Sequence, residues 1–239
     1  ALRKFGAFLF PQNLLIIFIA MRILLLAATQ FEIEGFINPL PDQINLDVCI
    51  TGVGPSFAML NAMKFIADHP NVKYDYILQI GIAGCFETNI TLGTVFNVLE
   101  DQFLVGAWEN EELFNSVDEM GFNSAFRKSS RVKSFKTIEL KSILRKCEGL
   151  TVSAIESNKA RIKVLKSAFP EALIESMEGA VVFELSNYLQ TPAISLKAVS
   201  NYVGERDKSK WDFKTSISNL HMATNDLLLT LNKNYNANR

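Results

Sequence analysis

Histidine is scarce: His69 and His221 are the only two in 239 residues, and neither has a second candidate ligand near it in sequence. No metal site is expected, and no cofactor is called for. The three cysteines, Cys49, Cys85 and Cys147, are odd in number and show no paired spacing. That argues for a reducing, cytoplasmic setting and against a disulfide scaffold. An excess of either charge is missing too. The 24 Lys and Arg stand against 25 Asp and Glu, with no basic run, so a nucleic-acid partner is not expected. A membrane-spanning helix needs roughly 20 uninterrupted apolar residues. The apolar run 14–20 is cut off by Pro11-Gln12-Asn13 on one side and Arg22 on the other, so no membrane partner is expected either.

The first twenty residues admit three readings. Arg3 and Lys4 ahead of an apolar run resemble the charged and apolar regions of a secretory leader, and a genuine leader would mean export. Alternatively, residues 1–20 are sequence upstream of a natural start at Met21, or an ordered extension of the fold. Residues 21–239 read as one domain, long enough to bury a substantial core.

From Met21 onward, short apolar runs alternate with helical stretches. Strands are expected at 23–28, 46–51, 76–80, 94–100, 149–153 and 193–199, as continuous Leu-rich and β-branched runs suited to strands covered on both faces. Helices are expected at 55–68, 158–169, 177–189 and 211–231. The first has Pro55 at its start and His69-Pro70 after its end, as helix boundaries favour. Alternation of this kind gives an α/β fold, a three-layer α/β/α sandwich around a central mixed, mostly parallel sheet. Residues 106–134 are the most polar and least regular, and read as an excursion on one side of the sheet.

Ligands of such folds bind at the carboxyl ends of strands, and four of those ends carry unusual residues. Glu32 follows the first strand, where it could point into a cleft or simply sit in a first helical turn favoured by the helix dipole. Gly52-Val53-Gly54 forms a strand-to-helix turn; a helix N-terminus can hold an anion, but two glycines alone fit a structural turn better. Gly81-Ile82-Ala83-Gly84 could let a flat ring lie directly on backbone, or be a tight turn. Glu175-Ser176-Met177-Glu178-Gly179-Ala180 precedes a helix, and Ser200-Asn201-Tyr202-Val203-Gly204-Glu205-Arg206-Asp207 follows the last apolar strand, closed by Trp211. Glu178 could accept both hydroxyls of a vicinal diol or be a helix-start acid.

In order and wording these segments resemble the nucleosidase branch of the purine nucleoside phosphorylase superfamily, and within it the futalosine hydrolase family. The resemblance covers most of 21–231, and the run from Ser200 to Trp211 is its most specific part. It implies a nucleoside phosphorylase-like fold and hydrolysis of the N-glycosidic bond of futalosine to hypoxanthine and dehypoxanthine futalosine, in menaquinone biosynthesis. It also implies a nucleoside substrate and a homodimer or higher homo-oligomer.

Residue by residue, Glu32 matches the water-activating acid, Glu178 the ribose-binding carboxylate and Met177 the residue packed against the sugar. Ala83 and Gly84 match the backbone that lines the purine, and Ile155 joins the substrate-binding set. Thr94 stands where the family has Asp. The Gly- and Arg-rich phosphate loops of the phosphorylases are absent, which favours water as the nucleophile. Ser200-Asn201 matches the Ser-Asp pair that meets the base in adenine-releasing relatives, with Asn in place of Asp. An ionised Asp would oppose O6 of a hypoxanthine lone pair to lone pair. Asn can donate to O6 and accept from a protonated N7, so Asn201 points to a 6-oxopurine.

Because an amide is a poor acid, Asp207 is expected either to supply or relay the proton or to pair with Arg206. Lys197, in place of an Arg, is a candidate for ordering the acids. Phe86, Trp108, Lys208, Lys210 and Trp211 are candidates for the 5′ substituent. Nucleosidases or phosphorylases of inosine, methylthioadenosine or adenosylhomocysteine remain alternatives, as does a non-catalytic nucleoside-binding or storage relative.

Overall fold

The computed structural model describes residues 20–36, 40–41, 43–122, 129–138 and 144–237; the three readings of the N-terminus concern residues outside that set. The elements run β1 (Met21–Ala27), β2 (Ile44–Ile50), α1 (Pro55–Asp68), β3 (Tyr76–Cys85) and β4 (Val95–Phe103). Short β5 (Gly106–Trp108), β6 (Phe114–Ser116) and β7 (Arg131–Lys133) follow. The chain continues through β8 (Arg145–Thr151), α2 (Lys159–Ala168), β9 (Ala172–Ser176), α3 (Gly179–Leu189), β10 (Ala193–Tyr202) and α4 (Phe213–Ala237).

Every strand expected from sequence is present, with ends shifted by a few residues. β1 shows why its run is apolar throughout. Successive side chains point to opposite faces: Leu24 and Leu26 join a core with Ala58 and Ala62 of α1 and Val181, Val182 and Phe183 of α3. Ile23, Leu25 and Ala27 join another with Leu220, Leu227, Leu228 and Leu231 of α4. A third cluster, around Phe86, Phe114, Leu150, Val152, Leu165 and Phe169, ties α2 and the β5–β6 hairpin to the strand ends.

The sheet is mixed, with order β10-β4-β8-β9-β3-β1-β2 and β7 attached to β4. β1–β2, β1–β3, β3–β10, β4–β8 and β8–β9 are parallel, while β4–β10, β3–β9 and β4–β7 are antiparallel. The sheet also closes on itself, because β3 pairs β10 directly. The ten-residue β3 makes this possible: its residues 76–79 pair β1, and Gly84 and Cys85 then pair β9. β3, β10, β4, β8 and β9 therefore form a ring, from which β1 and β2 extend.

Two elements differ from the sequence reading. β9 was hidden because Ala172-Leu-Ile-Glu-Ser176 ends in polar residues and reads as the lead-in to a helix, which in fact begins at Gly179. Part of the polar excursion also enters the sheet as β7. No helix among the described residues is long and apolar enough to cross a membrane.

Candidate active site

Glu32 ends a 3-10 turn directly after β1 and is 5 % exposed. Both carboxylate oxygens accept backbone N–H groups: Oε1 from Ile82 at 3.1 Å, Oε2 from Thr29 at 3.0 Å. Its main-chain carbonyl accepts from Nε2 of His221 on α4 at 2.8 Å, so the histidine braces this turn. A Cβ added at Gly81 would lie 2.9 Å from both Glu32 Oε1 and Lys197 Nζ. Glycine here therefore leaves room for both the acid and the cation over β3, where Lys197 is the register partner of Gly81.

Glu178 caps α3 and is 6 % exposed. Its Oε1 accepts the N–H of Gly54 at 2.8 Å, and Gln79 Nε2 donates to its main-chain carbonyl at 2.9 Å. Gly54, at φ +99°, supplies a backbone conformation that residues with side chains rarely adopt. The glycine turn read from sequence as structural thus also holds a candidate site carboxylate. Burial pushes the Glu178 carboxyl up, Lys197 and the Gly54 N–H pull it down, and Glu32 pushes it up again. The two acids therefore sit close enough to repel, and the charge of Lys197, 2 % exposed, offsets that repulsion at Glu178.

β10 is irregular where it matters. Val199 pairs Ala83 and Asn201 pairs Gly84, so Ser200 is the extra residue of a bulge, a device that re-aims side chains. Ser200 Oγ donates to Asn201 Oδ1 at 2.9 Å, and Asn201 Nδ2 donates to the Tyr202 carbonyl at 3.1 Å. One amide hydrogen and one oxygen lone pair are left for a ligand. A Cβ on Gly84 would meet Asn201 Nδ2 at 3.2 Å. The Ala83 carbonyl accepts from the same Ser200 hydroxyl at 3.4 Å, and Met177 and Val203 both pack against the cluster around Phe86 and Leu150.

Two residues expected at the site are exposed. Ile155 lies exposed in the segment before α2, at 37 %. Asp207 is exposed and caps a 3-10 turn, accepting from Ser209 N at 3.0 Å and Ser209 Oγ at 2.7 Å. Those bonds hold its carboxyl below the usual range, which makes it a cap and a weak proton donor. Arg206 makes no ion pair with it; Glu205 pairs with Lys210 instead, at 2.8 Å.

The 5′-substituent candidates divide into two groups. Phe86 and Trp108 belong with α2, Trp108 lying under Arg161 at 5.0 Å. Trp211 meets Phe213 in a tilted contact, and Phe213 meets Phe31 beside Glu32. Lys208 and Lys210 are exposed.

Sequence reasoning passed over Asp101 on β4. It is 2 % exposed and accepts from Thr151 Oγ1 at 2.7 Å, and that hydroxyl in turn accepts the N–H of Ala180 in the first turn of α3. Gly149 and Gly179 are glycines because any Cβ would collide with its Oδ2. Burial pushes this carboxyl up to about 7, against the pull of Thr151 and Lys197. The raised value lies in the folded state, so the stabilising protonated form is fully present below pH ~4 and is lost as pH rises through about 7. Asp101→Asn should remove that slope, about 1.4 kcal/mol per pH unit over the window. Its stability advantage should therefore grow from pH 4 to 7 and then level off. Parallel urea titrations across pH check this; a constant difference would contradict the buried acid.

The fold has counterparts among solved structures. The S. pneumoniae 5′-methylthioadenosine/S-adenosylhomocysteine nucleosidase, solved with a transition-state inhibitor, superposes with TM-score 0.70 at 18 % identity, covering 88 % of this chain and all of that one. A futalosine hydrolase mutant of Helicobacter pylori superposes with TM-score 0.67 at 16 % identity, covering 87 % of this chain and 98 % of that one. The protein has the mixed α/β fold of these nucleosidases.

The sequence itself leads to a narrower relative. Futalosine hydrolase of Streptomyces coelicolor is 29 % identical over 196 residues, 80 % of this chain and 81 % of that protein. No family model matches the chain. The resemblance drawn from Ser200 to Trp211 thus agrees with the overall similarity.

Proposed function

We propose that this protein hydrolyses the N-glycosidic bond of futalosine, releasing hypoxanthine and dehypoxanthine futalosine for menaquinone biosynthesis. The observation that carries the reading is Asn201, whose amide has one hydrogen and one lone pair available beside Gly84. That pair complements O6 and a protonated N7, the edge of a 6-oxopurine. The Streptomyces relative supports the same substrate.

Cleavage passes through an oxocarbenium-like ribosyl group while electrons flow into the base. Glu32, its oxygens fixed by two backbone N–H groups, takes a proton from the water attacking C1′. Glu178 accepts the ribose hydroxyls, steadied by Gly54 and the charge of Lys197. Asn201 holds the departing purine through O6 and N7, and N7 takes its proton from solvent as the C1′–N bond breaks. Met177, Ala83 and Gly84 line the sugar and base, with Ser200 fixing the Asn201 amide, and Ile155 belongs to the substrate-binding set through the resemblance.

Glu178 accepts both hydroxyls only when ionised, and burial raises its carboxyl. KM should therefore rise as pH falls, beginning at a higher pH than for an ordinary glutamate, with kcat less affected. A KM that stays flat down to pH 5 would contradict the diol assignment.

A homodimer is part of the proposal. It is supported by an apolar face of Val53, Phe57 and Leu60 around the start of α1, exposed at 51, 65 and 65 %. A three-layer α/β/α arrangement is supported by separate cores on the α1–α3 and α4 sides, and a cytoplasmic location by the unpaired cysteines. Turnover in 18O-labelled water tests the reaction class. Label at C1′ of the sugar product is expected; a sugar phosphate formed only when phosphate is supplied would overturn it.

A further inference from the structure

One buried acid takes no part in this mechanism. Glu175 on β9 is 5 % exposed, and its Oε2 has no hydrogen-bond partner among the described residues. An unpaired buried carboxylate oxygen is costly, so the position calls for a ligand or a reason.

Its place in the sheet supplies one. Glu175 is the antiparallel register partner of Gly84, and directly opposed residues in such a pair project from the same face. On that face a Cβ at Gly84 would meet Asn201 Nδ2 at 3.2 Å and Val203 Cγ2 at 3.3 Å. Glu175 therefore rises on the side that carries the Asn201 amide, and the side chain that would fill the gap between them is the one Gly84 lacks. Burial pushes the Glu175 carboxyl up to about 7, the charge of Glu156 adds to the rise and that of Arg206 opposes it.

Carboxylate beside amide is a pattern with a purine counterpart. A 6-oxopurine offers an acceptor, O6, next to a donor, N1–H. A 6-aminopurine offers the reverse, an amino donor next to the N1 lone pair. The geometry points to Glu175 as the acceptor of the N1–H of a 6-oxopurine, reading the base jointly with Asn201 and making it a second specificity-determining residue. This rests on the nucleoside reading above and extends it to the opposite side of O6.

The test uses free bases and the full reaction together. Wild-type protein should bind hypoxanthine at least tenfold tighter than 1-methylhypoxanthine, which has no N1–H. Glu175→Leu should bind the two about equally and lose about 10–100-fold in kcat/KM on futalosine, the value of one hydrogen bond to a charged group. Its melting temperature should match or exceed that of wild type, because an orphaned buried carboxylate is gone. Glu175→Gln, whose carbonyl still accepts, should recover most of the activity. Wild-type protein that cleaves futalosine yet binds both bases alike, or a Leu variant within threefold of wild type, would overturn the Glu175 assignment and leave the function standing. Wild-type protein that neither cleaves futalosine nor binds hypoxanthine would overturn both.

Discussion

Glu32→Gln should lower kcat for futalosine hydrolysis by about 10²–10⁴, the usual contribution of a general base, while KM stays within a few fold. The substitution keeps the shape of the side chain and removes its capacity to take a proton from water. The surroundings sharpen the expectation. Oε1 and Oε2 each accept a backbone N–H, from Ile82 and Thr29, so an amide NH₂ faces a donor in either orientation. One mismatched donor costs about 1–3 kcal/mol, and a modest fall in melting temperature should accompany the loss of turnover. Substrate binding, which relies on Glu178 and Asn201, should survive and can be measured by calorimetry on the inactive variant. Retained turnover would remove Glu32 from the chemistry.

Asn201→Asp should turn the base preference toward adenine. An ionised carboxylate loses the donor to O6 and gains an acceptor for a 6-amino group. Each change is worth about 1–3 kcal/mol. The ratio of kcat/KM for futalosine over methylthioadenosine should therefore fall by about 10²–10⁴. The Ser200 hydroxyl can still donate to the new side chain, whereas the bond to the Tyr202 carbonyl is lost unless the acid is protonated. A lower melting temperature at high pH is the expected side effect. If both substrates lose activity equally, Asn201 is a scaffold for the bulge and does not read the base.

The legibility of the molecule from sequence follows its physics. β1, β3 and β10 are buried on both faces, so their apolar runs announce themselves, and α1 announces its start with Gly54-Pro55. Glu32 and Asn201 were legible beside the apolar runs of β1 and β10, and Glu178 as an acid at the start of a helix. β9 was not, because five residues ending in Glu-Ser carry no strand signature, and with it went the placement of Glu175 opposite Gly84. The ring closure depends on a direct β3–β10 pairing far apart in sequence, to which local patterns are blind. Asp101 was invisible for the same reason: the glycines that make room for it, Gly149 and Gly179, come from β8 and α3. Asp207 was not legible as a cap, because a polar residue near a site motif reads equally as an acid, and only its bonds to Ser209 two residues on show the cap.

The most direct measurement is base release by the purified protein from futalosine, inosine and methylthioadenosine, each with and without phosphate. The account predicts hypoxanthine from futalosine, at a rate independent of phosphate, and little base from the other two. Adenine as the favoured product, or release that requires phosphate, would contradict it.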